Sequence, residues 1–341
     1  MIKGFNRMAK QIYILGGGLS GIYAKLTNPD AMLIDRDDHI TISTRLITII
    51  GGMENSYAYK PRNIDLKENV KDINFENREI VTDNGKHEYS KLIIALGHSY
   101  NVNNIKGSTN IAKLETIDDA VNIRKRLQTS KNVTIIGGGY LGVEIASLIN
   151  GKKVTIIDPH DRLLNHSSPE ASEYVNNMLL ARNVNITKGT KVMEVTGKSV
   201  ITDNEEITSD LTIYAGGIYG NSIISDLPIK TKNSKILVNS KMRSLSYDDV
   251  FACGDSMAID GKSFPATAFT GRKSAVVAMK NAMGNDIEFK YENNGNILNI
   301  DNNYIFVKKN GYRKSFMVNL IKKYVNGKTD KSLNKLARLK S

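Results

Sequence analysis

The sequence predicts an α/β protein built from two tandem units of one kind, each a parallel sheet interleaved with helices, and three repeats inside the chain carry that prediction. A glycine-rich turn at Gly16, Gly18 and Gly21 returns at Gly137, Gly139 and Gly142, 121 positions later. A short apolar strand ending in Asp35 returns as one ending in Asp158, 123 positions later. A turn at Asp83-Asn84 and the strand Ile93-Ile94-Ala95-Leu96-Gly97 return at Asp203-Asn204 and Ile213-Tyr214-Ala215-Gly216-Gly217, 120 positions later. Landmarks at so nearly constant an offset mark a duplicated nucleotide-binding unit.

Each element has its own reason. Ile12-Tyr13-Ile14-Leu15 is an apolar run cut off by Gly16, which reads as a buried strand entering a turn. In the spacing G-x-G-x-x-G the first glycine makes the turn, the second lets the backbone approach a pyrophosphate and the third lets the next helix lie on the strand. The free N–H groups at the start of that helix suit the phosphates. Ala31-Met32-Leu33-Ile34 ends in Asp35, where a carboxylate can accept ribose hydroxyls. From His39 to Ile47 apolar and polar residues alternate. Asp83-Asn84-Gly85 between short strands marks a hairpin, and Leu92 to Ala95 is a further apolar strand. The second copy runs from Val133 through Glu144 to Asp158. Further on, Val250-Phe251-Ala252-Cys253-Gly254-Asp255 is a strand ending in a carboxylate that either reaches a ribityl or ribose hydroxyl or caps a helix. Pro265-Ala266-Thr267-Ala268 leads on to an apolar helical stretch from Ala275 to Met283.

Composition bounds the chemistry. With 341 residues, 40% of them hydrophobic, the chain can bury the core of about two domains. Cys253 is the only cysteine, which excludes an intrachain disulfide and a two-cysteine redox centre and points to a reducing compartment. No apolar run approaches the roughly twenty residues of a membrane-spanning helix, and Met1 to Lys10 lacks the apolar core of a secretory signal. A cytoplasmic protein is expected, or one attached to the cytoplasmic face of a membrane. The net charge of +12 is concentrated: Lys308 to Ser341 holds eleven Lys or Arg and one acid, Asp330, leaving the body nearly neutral at +2.

Together these segments resemble the two-dinucleotide-binding-domain flavoproteins of the pyridine-nucleotide-disulfide reductase superfamily. The resemblance runs from Lys10 to Gly284 and rests on four motifs: the Gly16 turn with Asp35, Tyr89-Ser-Lys-Leu-Ile-Ile-Ala-Leu-Gly97, the Gly137 turn with Glu144, and Val250 to Asp255. It implies two Rossmann-like domains, an FAD domain (10–115 and 236–285) interrupted by an NAD(P)H domain (116–235), and then a short basic C-terminal region (286–341). It assigns Gly16, Gly18, Gly21, Asp35, Gly97, Gly254, Asp255 and Ala268 to FAD, and Gly137, Gly139, Gly142, Asp158 and Gly217 to the nicotinamide nucleotide. Asp158 would accept a ribose 2′-OH and repel a 2′-phosphate, which favours NADH over NADPH, although His160 and Arg162 stand close by. Glu144 falls where the superfamily carries a carboxylate near the nicotinamide, or is a solvated acid favoured by the helix dipole. Tyr140 stands where some members place a tyrosine over the flavin, or is an ordinary buried tyrosine.

The acceptor is narrowed by what is missing. Disulfide-reducing members carry cysteine in the segment after the first acid, and His39 to Gly52 has none. Within the superfamily, Asp35-Arg-Asp-Asp-His39-Ile-Thr-Ile resembles the corresponding region of the type II NADH:quinone oxidoreductases. Thr44-Arg45-Leu46, Tyr140, Phe269 and Lys273 depart from the pattern of that group. The tail adds an amphipathic pattern: Phe316, Met317, Leu320, Ile321 and Tyr324 share one helical face among lysines, continued by Leu333, Leu336 and Ala337 beside Arg338. Three readings follow: a quinone reductase on an anionic membrane surface, a reductase of a small ferredoxin-like electron carrier, and a redox-sensing flavoprotein with a nucleic-acid-binding tail, the least favoured. The superfamily's customary homodimer is put in question by a C-terminal region shorter than its usual third domain.

Overall fold

The computed structural model describes residues 11–259, 264, 266–291, 295–300, 303–308 and 310–337. Arg338 lies outside them, as do Pro265 and the side chains of Phe316, Leu336 and Ala337.

The first unit opens with β1 (Ile12–Leu15), α1 (Leu19–Thr27) and β2 (Met32–Asp35), and continues through α2 (Ser43–Ile50), β3 (Leu66–Lys67) and β4 (Lys91–Ile94). The second holds β5 (Ile111–Ala112), α3 (Ile117–Thr129), β6 (Asn132–Ile136), α4 (Tyr140–Leu148), β7 (Lys153–Asp158), α5 (Pro169–Leu180), β8 (Val184–Lys188) and β9 (Leu211–Tyr214). The chain then returns to the first unit through β10 (Val250–Ala252) and α6 (Ala268–Ala282). Both sheets are parallel and five-stranded, in the orders β10-β4-β1-β2-β3 and β5-β9-β6-β7-β8. The duplication is therefore structural: β1, β2, β3 and β4 correspond to β6, β7, β8 and β9, and each unit adds a small three-stranded antiparallel sheet (Val70–Asn74, Glu79–Thr82, Lys86–Glu88; Val192–Val195, Ser199–Thr202, Glu206–Thr208).

Strands covered on both faces read as continuous apolar runs, and here Ile14, Leu15, Leu33, Ile93 and Ile94 are fully buried in the first unit, Ile135, Ile156 and Ile213 in the second. Two short strands, His98–Ser99 and Tyr219–Gly220, pair antiparallel where the chain passes between the units.

The alternation from His39 ends sooner than its pattern suggests. Only His39–Thr41 is a strand; from Ser43 the chain turns helical, because Leu46, Ile49 and Ile50 then fall on one face and join the core of the second unit. Helix α6 starts seven residues before its apolar stretch, since the Thr267 side chain accepts from the Thr270 N–H and caps it there.

The described residues of the C-terminal region form a small sheet and a helix. Strands β11 (Asn296–Ile300), β12 (Asn303–Lys308) and β13 (Gly311–Lys314) form an antiparallel sheet whose Leu298, Ile300, Ile305 and Val307 complete the core of the second unit. Helix α7 (Phe316–Ala337) crosses to the first unit, where Leu333 packs with Ile22, Ile40 and Ile42 and Ser332 hydrogen-bonds to Tyr23 at 2.7 Å.

Candidate functional site

Both glycine turns have one geometry. Gly16 and Gly137 adopt φ of +93° and +110°, conformations that favour glycine. A Cβ on Gly21 or Gly142 would lie 1.8 or 1.9 Å from the carbonyl oxygen of Gly16 or Gly137, so only hydrogen fits there. Around Gly18 and Gly139, in contrast, a Cβ would meet nothing within 4 Å. That open space lies beside helix ends with free donors: α1 and α4 start from these two glycines without a side-chain cap, where α3, α5 and α6 are capped by Thr116, Ser168 and Thr267. An uncapped N-terminus beside open space offers free N–H donors to an anion, and each turn leaves room for the pyrophosphate of a dinucleotide.

The two acids are also duplicated in detail. Asp35 accepts from the N–H of Gly17 at 2.5 Å and of Asp37 at 2.9 Å. Asp158 accepts from the N–H of Gly138 at 2.5 Å and of His160 at 2.8 Å. Each carboxylate is thus fixed beside its own turn. Asp35 also pairs with the buried Arg62 at 3.0 Å, whose guanidinium lies against Gly17 and whose pKa is lowered by burial. At Asp158 the His160 ring makes a second contact at 2.7 Å. Arg162 is occupied locally, donating to the carbonyls of Ser167 and Asn165 at 2.9 and 2.7 Å.

Helix packing and the strand order bring the remaining first-unit residues together. Gly97 (φ +73°) lies three residues beyond β4, and its carbonyl accepts from Ser256 at 3.2 Å. Gly254 (φ +64°) sits against Ser20 of α1, where a Cβ would lie 2.2 Å from its Oγ, and Ser274 of α6 accepts its N–H at 3.0 Å. Asp255 follows, bonded to His98 Nδ1 at 2.9 Å, and Ala268 begins α6. In the second unit Gly217 (φ +111°) lies beyond the end of β9 with open space around it.

Tyr140 begins α4, with its hydroxyl bonded to Ser167 at 2.9 Å. Tyr291, from the segment after α6, stands close enough that Tyr140 adds to burial in raising its pKa. Glu144 keeps some exposed surface, but its carboxyl group is enclosed between α4 and the C-terminal sheet, where Oε1 accepts the Asn299 N–H at 2.8 Å. Burial pushes its pKa up to about 7 against the lowering effect of that bond and of Lys322 on α7.

Several roles escaped the sequence reading. Arg45 of α2 is 4% exposed and makes a bidentate pair with Asp330 of α7 at 3.0 and 3.1 Å, beside the Tyr57 ring. Arg62, His98 and Lys235 belong to no motif. The one available signal was charge inside apolar or turn sequence, which does not name the partner.

Similarity to known proteins agrees with this architecture. Residues 10–282 match the pyridine nucleotide-disulphide oxidoreductase family model. The NADH oxidase of Enterococcus faecalis is 28% identical over 275 residues, 71% of this chain and 61% of that protein. The rubredoxin-NAD(+) reductase of Pseudomonas putida is 28% identical over 212 residues, 58% of this chain and 54% of that one. The chain thus spans about three fifths of these relatives' length. Among solved structures, NDH2 from Plasmodium falciparum in complex with NADH shares the fold, with a TM-score of 0.81 and 18% identity over 93% of this chain and 94% of that one. With two parallel sheets, two glycine turns and a family match over most of its length, the chain belongs to the pyridine nucleotide-disulphide oxidoreductases, flavoproteins that use FAD and NAD(H).

Proposed function

We propose that the chain takes a hydride from NADH onto FAD and passes electrons to a quinone at a membrane surface. The observation that carries the acceptor is the outer face of α7. Met317, Leu320, Ile321 and Tyr324 are spaced along one stripe and are 65%, 49%, 42% and 69% exposed, flanked by Lys323 and Lys328. An apolar stripe bordered by cations suits an anionic bilayer, from which an apolar quinone would arrive. No helix of the described residues is long and apolar enough to cross a membrane, so contact would be peripheral. Thiol chemistry has no support: α2 holds no cysteine, and burial pushes the Cys253 thiol up to about 12.

Bound FAD would supply hydride acceptance and onward electron transfer. The chain's own part is positioning. In this reading the Gly16 turn, Asp35, Gly97, Gly254, Asp255 and Ala268 hold FAD; the Gly137 turn and Gly217 hold NADH, with Asp158 on its ribose hydroxyls. Glu144, with its pKa near neutrality, would hold or release a proton in the enclosed space between α4 and the C-terminal sheet, and Tyr140 closes the start of α4. The lysines of α7 also suit a second acceptor, an acidic electron-carrier protein of the kind that the rubredoxin reductase relative is named for.

Reduction of the bound flavin by NADH without oxygen, followed by addition of a short-chain quinone or a rubredoxin, separates the two. Reoxidation by quinone is expected. Reoxidation by rubredoxin alone supports the carrier reading, and response to neither removes both.

A further inference from the structure

We propose that His98 and Lys235 are positioning residues that hold the Asp255 carboxylate ready for the sugar-chain hydroxyls of FAD, so that retention of the flavin depends on two residues outside every glycine motif. The inference rests on the assignment of Asp255 to FAD.

Asp255 is anchored on one oxygen. His98 Nδ1 donates to Oδ2 at 2.9 Å, and among the described residues no protein group bonds Oδ1. The imidazole is itself held, its ring meeting Tyr100 edge-on at 5.7 Å, and Tyr100 meeting Tyr214 in the same way at 5.7 Å. Lys235 is 4% exposed, and no described residue bonds its ammonium. Its stem is buried while the ammonium itself keeps access to solvent. The charge that acts on this one is Asp255, whose attraction opposes the lowering of the Lys235 pKa by burial.

The backbone explains how three distant segments meet. His98 pairs with Gly220, and a Cβ on Gly220 would lie 1.6 Å from the Ser234 carbonyl oxygen, so the chain entering Lys235 is pressed against that ladder. Ser256 and Gly97 are joined by the 3.2 Å bond already described, which holds the turn bearing Asp255 to the turn bearing His98. A carboxylate with one oxygen fixed by a charge-assisted bond presents the other in a single direction and loses little freedom when a hydroxyl arrives.

The test follows release of FAD from the diluted holoprotein by the rise of free-flavin fluorescence. His98→Ala is expected to speed release about tenfold, and His98→Asn, whose amide N–H replaces Nδ1, to restore most of the retention. Lys235→Met is expected to speed release by a similar factor. In the Asp255→Ala background, His98→Ala should add nothing. Normal release from both His98→Ala and Lys235→Met, with fast release from Asp255→Ala, overturns the inference and leaves the assignment of Asp255 standing. Normal release from Asp255→Ala overturns that assignment and the inference with it. An equal effect of His98→Ala with and without Asp255 shows a merely structural histidine and also overturns the inference.

Discussion

Gly18 and Gly21 are the same residue three positions apart, yet alanine at each has a different consequence. At Gly21 the new methyl would overlap the Gly16 carbonyl, and Gly21→Ala is expected to destabilise the protein by roughly 3 kcal/mol or more. At Gly18 the methyl enters open space at a φ of −65°, so Gly18→Ala is expected to fold within about 0.5 kcal/mol of the parent and to lose bound flavin. Melting temperature and flavin content measured on both variants check the pair; equal loss of stability would refute the division of roles. Glu144 makes a claim about pH. Its folded pKa, about 7, lies above the unfolded value of 4.5, so the stability it contributes is complete below pH 4.5 and is lost as pH rises through 7. Glu144→Gln should therefore gain roughly 3 kcal/mol at pH 8 and nothing at pH 4 in urea unfolding, and parallel curves for the two proteins would contradict the burial argument. The glycines and the two strand-end acids were legible because backbone sterics tie them to their neighbours. His98 was not legible, since its partner Asp255 lies 157 positions away and no local rule joins them.

Helices α2 and α7 illustrate the same limit one level up. The apolar alternation after His39 suited a strand until burial at Leu46, Ile49 and Ile50 favoured a helix. The amphipathic pattern of α7 was readable as one face, but packing divides it: Leu333 is buried against the first unit while Met317 and Tyr324 stay outside. Beside that packing, the Arg45–Asp330 pair joins the inner half to α2. Removing the carboxylate leaves a buried guanidinium without its partner, so Asp330→Asn should destabilise the protein by about 2 kcal/mol, less than a fully buried pair because Asp330 is partly exposed. Amide exchange in α7 should rise with it, while Lys331→Ala stays within about 0.5 kcal/mol. Unchanged exchange in Asp330→Asn would show that the pair does not fasten the helix.

For the whole molecule, the tandem organisation was legible because a duplicated unit writes its period into the sequence. The placement of the C-terminal region was not, because it depends on surfaces from both units: its sheet completes the second and α7 lies on the first. If the outer stripe of α7 meets a bilayer, replacing Met317, Leu320, Ile321 and Tyr324 together by serine should abolish flotation with anionic liposomes and leave flavin content and NADH oxidation by a soluble dye unchanged. Persistent flotation of that variant would exclude the stripe as the contact.

Asp330 has one more consequence. It is the only acid between Lys308 and Ser341, and its carboxylate is turned inward onto Arg45. The outer side of α7 is left with charge of one sign, within a stretch from Lys308 onward that carries +10 while the residues before it nearly balance. Electrically the protein is a dipole, and a dipole turns in a field before it touches anything. Approaching a negative surface, it would arrive with α7 foremost, and added salt would slow its arrival by erasing that bias at a distance.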